Sequence, residues 1–254
     1  MRLRVLGCSG GIGGRRHPTS YAIGEDVLID AGAGLGTLEL DEMRRIRHVF
    51  LTHSHLDHVG GLPHLVDSIF ESIDAPLVAH AQAVTIQAMQ DHLLNWTIWP
   101  NFAELPSKHD PVLVYEAMAP GERLTVDGRT FEMIAGNHTV PSVAYVVTQG
   151  EKVFCYTGDT TTNDSIWEGL NRLERLDLLL VECAFPNRMQ GIADLSKHYA
   201  PRLLAEDLRK LRHQPRIGIT HMKPGVEEDI WDECVAAISD RDIFRVRHDE
   251  VVEI

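Results

Sequence analysis

The stretch His53-Ser54-His55-Leu56-Asp57-His58 places three imidazoles and one carboxylate within six residues. It directly follows the apolar run His48-Val49-Phe50-Leu51-Thr52, which is predicted to form a buried strand. Neutral imidazole and carboxylate are the ligands that zinc and related divalent metals favour. A loop at the end of a strand holds such ligands on a rigid edge that solvent still reaches. The stretch therefore predicts a metal site, and a solvated, metal-free turn is the alternative.

Three more residues of the same ligand types follow predicted strands further along the chain. Each of them alone would be interpreted as a hydrogen-bonded loop residue. Their shared position after strands favours convergence at one sheet edge, as a site with two metals about 3.5–4 Å apart requires. The three residues are His138, Asp159 and His221, after strands predicted at 129–135, 152–157 and 215–220.

Each half of the chain has strands first and then helices, which predicts two sheets packed face to face with helices outside. No linker or composition break divides the chain, so we expect a single domain over residues 1–254. The other predicted strands are 2–7, 19–24, 26–30, 47–51, 76–80, 112–116, 122–126, 142–148 and 176–183. The predicted helices are 35–43, 62–70, 81–94, 163–173, 200–211 and 226–238.

The charge of the chain argues against a polyanionic partner. Its formal net charge is −13, and its Lys and Arg residues are dispersed rather than gathered in a stripe. Duplex DNA and tRNA normally require a basic stripe. We therefore expect a small-molecule substrate and no long nucleic acid.

No apolar run approaches the ~20 residues that span a bilayer, and the N-terminus lacks the apolar core of a secretory signal. We therefore expect a cytoplasmic protein with no membrane partner. The cysteines form no CxxC pair, which favours a reducing compartment over a disulfide framework. They are Cys8, Cys155, Cys183 and Cys234.

The Gly-rich turn Gly7-Cys8-Ser9-Gly10-Gly11-Ile12-Gly13-Gly14 matches no nucleotide-binding fingerprint. Counting from Gly11 and Gly13, the third glycine of a dinucleotide motif would fall at Arg16. His17-Pro18 then blocks the helix that such a motif needs. The turn also lacks the Gly-Lys-Ser/Thr of a P-loop. It is predicted to be a tight, exposed loop.

Over nearly its whole length the chain resembles the metallo-β-lactamase superfamily, whose HxHxDH motif is matched by residues 53–58. The resemblance implies an α/β fold with four layers, αββα, in which two mixed β-sheets are flanked by helices and hold two divalent metals. Zinc is the first candidate, and manganese or iron would also suit these ligands. The implied ligands are His53, His55 and His138 for one metal, Asp57, His58 and His221 for the other, and Asp159 as the bridge.

Within the superfamily, the chain looks most like the class II cyclic-nucleotide phosphodiesterases and also shares features with the RNase Z branch. Leu56 in the metal motif, the phrase Asn95-Trp96-Thr97-Ile98-Trp99-Pro100-Asn101-Phe102 and His221-Met222-Lys223-Pro224 carry the first likeness. Glu182 and His198 resemble the pair that handles the leaving group's proton in both branches. The chain departs from the cyclic-nucleotide family at Pro63-His64, where aliphatic residues are usual. The resemblance implies catalytic roles for Asp57, Glu182 and His198, although His198 could also be a plain helix N-terminal histidine.

The implied reaction is hydrolysis of a phosphodiester, with 3′,5′-cyclic AMP or GMP converted to the nucleoside 5′-monophosphate. A hydroxide bridging both metals would attack phosphorus in line. A thioesterase or lactonase of the glyoxalase II kind could use the same site, and a tRNA 3′-end nuclease is a weaker alternative. The alternative from another class is a non-catalytic binding protein that contains metal.

Residues 95–110 break the regular pattern and concentrate aromatic side chains, which predicts an inserted lid or a contact between the subunits of a homodimer. Aromatic residues there could also stack a purine ring, at about 1–3 kcal/mol per base. The candidate substrate contacts are Asn95, Trp96, Trp99, Phe102 and His64.

Overall fold

The strands form two seven-stranded sheets in the computed structural model, which describes residues 1–254. Two-residue strands β6 and β7 make a separate hairpin. In chain order the strands are β1 Arg2–Gly7, β2 Ser20–Ile23, β3 Val27–Ile29, β4 His48–Phe50, β5 Leu77–Ala81, β6 Pro106–Ser107, β7 Asp110–Pro111, β8 Leu113–Ala117, β9 Arg123–Val126, β10 Arg129–Ala135, β11 Val143–Gln149, β12 Lys152–Tyr156, β13 Leu178–Glu182, β14 Arg216–Thr220, β15 Ile243–Arg245 and β16 Val251–Glu253.

The helices cover the outer faces of the two sheets. None of them combines the length and the apolar character needed to cross a lipid bilayer. They are α1 Leu40–Met43, α2 Leu56–Val59, α3 Leu62–Ile69, α4 Ala83–His92, α5 Ser165–Asn171, α6 Gln190–Ser196, α7 Pro201–Leu208 and α8 Glu227–Ala237. Short 3-10 turns occur at Ala33–Thr37, Phe70–Ser72 and Asn187–Met189.

The strand directions bring the important loops to one edge. The first sheet has the order β16-β1-β2-β3-β4-β5-β8, with β3, β4, β5 and β8 parallel. The second has the order β15-β14-β13-β12-β11-β10-β9, with β12 to β15 parallel. Because β10 and β12 each run antiparallel to β11, they point the same way. The loops after β10, β12 and β14 therefore leave the second sheet at the same edge.

Side chains alternate between the inter-sheet layer and the helix-facing layers. In β11, Val143, Tyr145 and Val147 enter the layer between the sheets, whereas Ala144 and Val146 face the helices. Across the inter-sheet layer, the rings of Phe50 and Phe131 stack with centroids 3.8 Å apart. The three apolar layers separate two layers of sheet and two of helix. The predicted αββα arrangement is thus confirmed.

The structure differs from the predicted elements where they are short. The helix predicted at 35–43 is instead a 3-10 turn followed by the four-residue α1. Gly34 lies so close to β1 that an added Cβ would be 2.6 Å from the Leu6 carbonyl oxygen, so the chain packs there as a tight turn. The predicted elements do not include α2, α6, β6, β7, β15 or β16. Each is too short to show a clear periodicity of its own.

Candidate metal centre

The structure brings all seven predicted ligands together between the sheets. Four come from the loop after β4 and from α2, and the others follow β10, β12 and β14. Their ligand atoms form two groups of four, and within each group all atoms lie within 4.8 Å of one another. The groups are His53, His55, His138 and Asp159, and Asp57, His58, Asp159 and His221.

Asp159 belongs to both groups, and its carboxylate lies at their centre. Its Oδ2 atom is 3.3 Å from Nε2 of both His58 and His221. The same oxygen is 3.7 Å from Nε2 of His53 and 4.0 Å from Nε2 of His138. This is the position that a carboxylate shared by two metal ions requires.

Several buried polar atoms of the cluster have no hydrogen-bond partner. They are Nε2 of His53, His58 and His221, and Oδ1 of Asp159. Buried polar atoms in folded proteins are nearly always paired, so a group of unpaired acceptors facing one point calls for a cation. The donor set therefore fits divalent metal ions, as the sequence predicts.

Asp30 holds two of the histidines in the orientation that a metal needs. Its carboxylate accepts hydrogen bonds from His58 Nδ1 at 2.7 Å and from the Thr52 hydroxyl at 2.9 Å. The Thr52 hydroxyl in turn accepts from His53 Nδ1 at 2.9 Å. This series of hydrogen bonds fixes the proton of both imidazoles on Nδ1 and leaves Nε2 of each ring as the free acceptor. Asp30 thus supports one ligand from each metal group.

The ligands from the second half are held by other contacts. His138 Nδ1 donates to the Lys197 carbonyl at 3.0 Å, and His221 Nδ1 lies 3.3 Å from the Thr19 hydroxyl. The loop that carries Asp159 passes close to the start of β11 at Gly158, whose φ is +60°. A Cβ there would lie 2.7 Å from the Val143 carbonyl oxygen, so only glycine fits.

Electrostatics keeps most of these imidazoles neutral. Burial lowers the pKa of His138 to about 4 and that of His221 to about 3. Burial also disfavours a charge on His58, but the carboxylates of Asp159 and Asp30 outweigh it and raise the His58 pKa well above its usual value. A metal binds the unprotonated ring, so ion binding at His58 would release a proton.

His198 lies beside the cluster, with its ring centroid 4.9 Å from that of His138 and 5.4 Å from that of His221. Its Nδ1 donates to Glu182 at 2.8 Å, whereas its Nε2 has no partner within the protein. Glu182 is fully buried and also accepts the Thr160 backbone N–H at 3.1 Å. Burial opposes a charge on His198, but Glu182 outweighs it and raises the His198 pKa. The pair is built to hold a proton at the edge of the metal site.

The structure corrects one of the predicted substrate contacts and shows a structural task for another. Phe102 is 2% exposed and packs in the core between the first sheet and its helices, so its ring cannot stack on a ligand. The Asn95 side chain holds its own turn, donating to Asp91 O and accepting the backbone N–H groups of Thr97 and Ile98. These hydrogen bonds shape the turn, and a contact of Asn95 with substrate stays a prediction.

The remaining predicted substrate contacts keep an accessible surface. Trp96 is 57% exposed, and His64 is exposed on α3. The Trp99 ring packs edge-to-face on His64 with centroids 4.9 Å apart. Since α3 follows the metal loop, these residues lie on the side of the cluster formed by the first sheet. Their contact with substrate stays a prediction.

The sequence analysis missed the supporting residues Asp30, Thr52 and Lys197. A signal existed for Asp30, because it follows β3 in the same way as the ligands follow their strands. Its φ of +57° turns the chain sharply there, which Asp tolerates better than most residues. Lys197 contributes through its backbone carbonyl, which no side-chain pattern reveals.

Comparison with known proteins agrees with this geometry. Residues 25–247 match the family model described as the beta-lactamase superfamily domain. A Yersinia pestis protein named "Probable 3',5'-cyclic-nucleotide phosphodiesterase" is 28% identical over 209 residues, 72% of this chain and 59% of that protein. The "Atrochrysone carboxyl ACP thioesterase" of Aspergillus fumigatus is 26% identical over 212 residues, 77% of this chain and 58% of that protein. The chain therefore spans less than two thirds of the length of either relative.

Among solved structures, unliganded yeast PDE1 has the same fold. It superposes with a TM-score of 0.81 over 98% of both chains, at 17% sequence identity. The family match covers most of the chain and includes four of the seven strands of the first sheet and all seven of the second. From the family match, the shared fold and the two ligand groups between the sheets, we conclude that the chain belongs to the metallo-β-lactamase superfamily of metallo-hydrolases.

Proposed function

We propose that this protein is a dinuclear metal phosphodiesterase that hydrolyses a small cyclic nucleotide, with 3′,5′-cyclic AMP and GMP as the first candidates. The observation that carries the proposal is the Glu182–His198 pair beside the two ligand groups. The metal ligands alone would serve any hydrolysis, but a buried proton donor suits the expulsion of a poorly leaving alkoxide such as a ribose oxygen. The relative named as a cyclic-nucleotide phosphodiesterase supports the same choice.

In this proposal, the residues of each ligand group hold one divalent ion, and Asp159 is shared by both groups. Zinc is the first candidate, with manganese or iron as alternatives. When bound, such ions lower the pKa of a coordinated water and offset the negative charge of the phosphate oxygens.

The chain's own residues then position the reactants and move the proton. Asp57 is the most exposed of the carboxylate ligands, with 29% of its side chain accessible, so it can accept a hydrogen bond from the attacking water and orient it. His198 Nε2 donates a proton to the departing ribose oxygen. Glu182 holds the opposite nitrogen of that ring and stabilises its charged form.

The proposal includes a small substrate, no long nucleic acid and no membrane partner. The net charge of −13 supports the exclusion of a polyanion. The exposed side chains of Trp96 and Ile98, at 57% and 60%, support a lid or a homodimer contact in the 95–110 segment. Size-exclusion chromatography with light scattering would test the dimer.

A substrate panel tests the reaction type on protein whose metal content has been measured. The panel sets cyclic AMP, cyclic GMP and bis(p-nitrophenyl) phosphate against S-lactoylglutathione and an acyl-homoserine lactone. We expect nucleoside 5′-monophosphate as product, with one ¹⁸O at phosphorus when the reaction runs in H₂¹⁸O. Turnover of only the carbonyl compounds would overturn the phosphodiesterase proposal.

The thioesterase or lactonase alternative rests on a specific finding, the likeness to the Aspergillus fumigatus thioesterase. The same panel decides between the two, because water would then add to a carbonyl carbon rather than to phosphorus. Full metal content without turnover of any phosphodiester or acyl ester would instead favour the metal-containing binding protein.

A further inference from the structure

A second cleft opens at the same edge of the sandwich, beyond His221. It has a volume of about 290 Å³ and lies between the Gly-rich turn after β1, the start of α8 and the segment after β15. We call it the arginine cleft. Its basic side chains are Arg15, Arg16, Arg245, Arg247, His17 and His248.

The arginine cleft shares its wall with the metal centre. Ser9 and Met222 line it, and Met222 follows the ligand His221 directly. The His221 backbone N–H donates to the Cys8 carbonyl at 2.8 Å, and the Gly10 N–H donates to the Met222 carbonyl at 3.0 Å. The two sites are therefore neighbours on one rigid piece of backbone.

The charge of the arginine cleft is opposite to that of the whole chain. Although the net charge is −13, four guanidinium groups line one small space. Arg16 is paired with Glu227, and Arg245 with Glu228. Arg15 and Arg247 have no carboxylate within ion-pair distance, and both are exposed. Two unpaired guanidinium groups at one opening attract an anion from solvent.

Two histidines, His17 and His248, also line the arginine cleft. The rings of His17 and His248 lie with centroids 4.6 Å apart, and His248 Nδ1 donates to the Leu6 carbonyl at 2.9 Å. His17 thus adds a ring N–H beside the guanidinium groups, whereas the ring nitrogens of His248 already face the Leu6 carbonyl and, at 3.1 Å, the Asp249 carboxylate. A guanidinium group can form bidentate hydrogen bonds with two oxygens of a phosphate. Phosphate is therefore the anion that this lining suits best.

We propose that the arginine cleft binds a phosphate group next to the metal centre. Its volume is at the lower end of the range of about 300–1,000 Å³ that is typical of small-molecule pockets, so it suits one phosphate-bearing end rather than a whole nucleotide. The phosphate could be a second phosphate on a substrate that carries one more than cyclic AMP or GMP, or it could be a free anion. In the first case the inference rests on the proposed function, and in the second it stands alone.

Calorimetric titration of the metal-loaded protein with inorganic phosphate tests binding. The test variant is Arg15→Gln/Arg247→Gln, which removes the two unpaired guanidinium groups. We expect the parent to show a binding event in addition to the metal centre's own, and the variant to bind there at least about tenfold more weakly. Identical isotherms for parent and variant would overturn the proposal.

A matched control removes the same charge elsewhere. Arg172→Gln/Arg209→Gln replaces two exposed arginines without ion pairs, at the C-terminal ends of α5 and α7 and hence at the opposite edge of the sandwich. This control should titrate like the parent. A loss of the same size in the control would show only a general charge effect and would also overturn the proposal.

Two substrates that differ by one phosphate identify the source of the anion. Thymidine 5′-(p-nitrophenyl phosphate) is compared with the same compound carrying an added 3′-phosphate. If the cleft binds the substrate's own phosphate, the added group raises kcat/KM about tenfold through KM, and Arg15→Gln/Arg247→Gln abolishes that advantage. Equal kcat/KM values together with retained phosphate binding assign the cleft to a free anion. If neither compound is hydrolysed, the titration alone decides the cleft, and the panel that contains the cyclic nucleotides decides the proposed function.

Discussion

The two halves of the molecule supply their ligands in different ways. The first half gives four ligands within residues 53–58, in one loop and one helical turn after β4. The second half gives one ligand after each of β10, β12 and β14. The first set is arranged by local backbone geometry, whereas the second exists only when the strands of the second sheet pair in the right register.

Neither half forms a complete group by itself. The first group combines His53 and His55 with His138 and Asp159, and the second combines Asp57 and His58 with Asp159 and His221. The first half therefore contributes two ligands to each group from one short motif, and the second half contributes the remaining ligands of both groups.

The largest effect should follow the loss of the shared residue from the second half. We expect Asp159→Ala to lose both ions and all detectable activity, because its Oδ2 lies between the two groups. Metal analysis and the phosphodiester assay on the same sample measure this. The control Asp232→Ala, at an exposed position on α8, should keep both. Activity that survives in Asp159→Ala would refute the bridging role.

His198→Ala should keep both ions and lose about 10²–10⁴-fold in kcat, which is the usual size of a general-acid contribution. The loss should be much smaller for bis(p-nitrophenyl) phosphate than for cyclic AMP, because p-nitrophenolate leaves without a proton. Equal losses on the two substrates, or a lower metal content, would assign His198 a structural role instead.

Asp30→Asn tests how the first half of the chain orients its own ligands. Asp30 orients His58 directly and His53 through Thr52, so we expect the affinity for both ions to fall about 10–100-fold. Among the metal ligands, Thr19 contacts only His221. We therefore expect Thr19→Val to lower the affinity for one ion alone. Competition with a chromophoric chelator gives both affinities. Unchanged affinities in Asp30→Asn would contradict the supporting role.

The smallest effect concerns stability in the second half. Asp207 is buried on α7 and accepts hydrogen bonds from the Trp167 indole, the Tyr199 hydroxyl, the Thr162 hydroxyl and Lys210. Because every partner is a donor, an amide cannot replace the carboxylate. Asp207→Asn should lower the free energy of unfolding by about 1–3 kcal/mol in urea titrations at pH 7.

The pH dependence of that stability checks the charge of Asp207. Burial alone would raise the pKa of Asp207, but its hydrogen bonds, first of all from Lys210, hold that pKa below the usual value. The stabilisation is therefore present above the unfolded pKa of about 3.9 and is lost as the pH falls through the folded value. The difference between parent and Asp207→Asn should shrink in that acid range. A constant difference would show that the charge of Asp207 is not the cause.

The sequence alone predicts the features that depend on residue type and on the positions of strand ends, namely the metal ligands and the layers of the fold. The ligands were found because His and Asp residues followed apolar strands, and the four layers followed from the order of the elements. Phe102 was misassigned because an aromatic residue in an irregular segment has the same pattern whether it is buried or exposed. Its burial depends on packing against the first sheet and its helices, which residue type does not encode.

The supporting residues show a second limit. Asp30 stands at a strand end like a ligand, but only three-dimensional distances reveal that it supports His58 and Thr52 and belongs to neither ligand group. The arginine cleft joins residues 15–17 with 245–248, which are more than 200 positions apart, because β1 and β15 end at the same edge.

Because each ligand group draws on both sheets, an ion bound in either would act as a crosslink between the two halves of the core. Ligands that bind only the folded state stabilise it by about 2.7 kcal/mol at a hundredfold excess over Kd. Chelation should therefore lower the melting temperature and expose the chain to proteolysis. The amount of intact protein in a cell would then follow the supply of its metal.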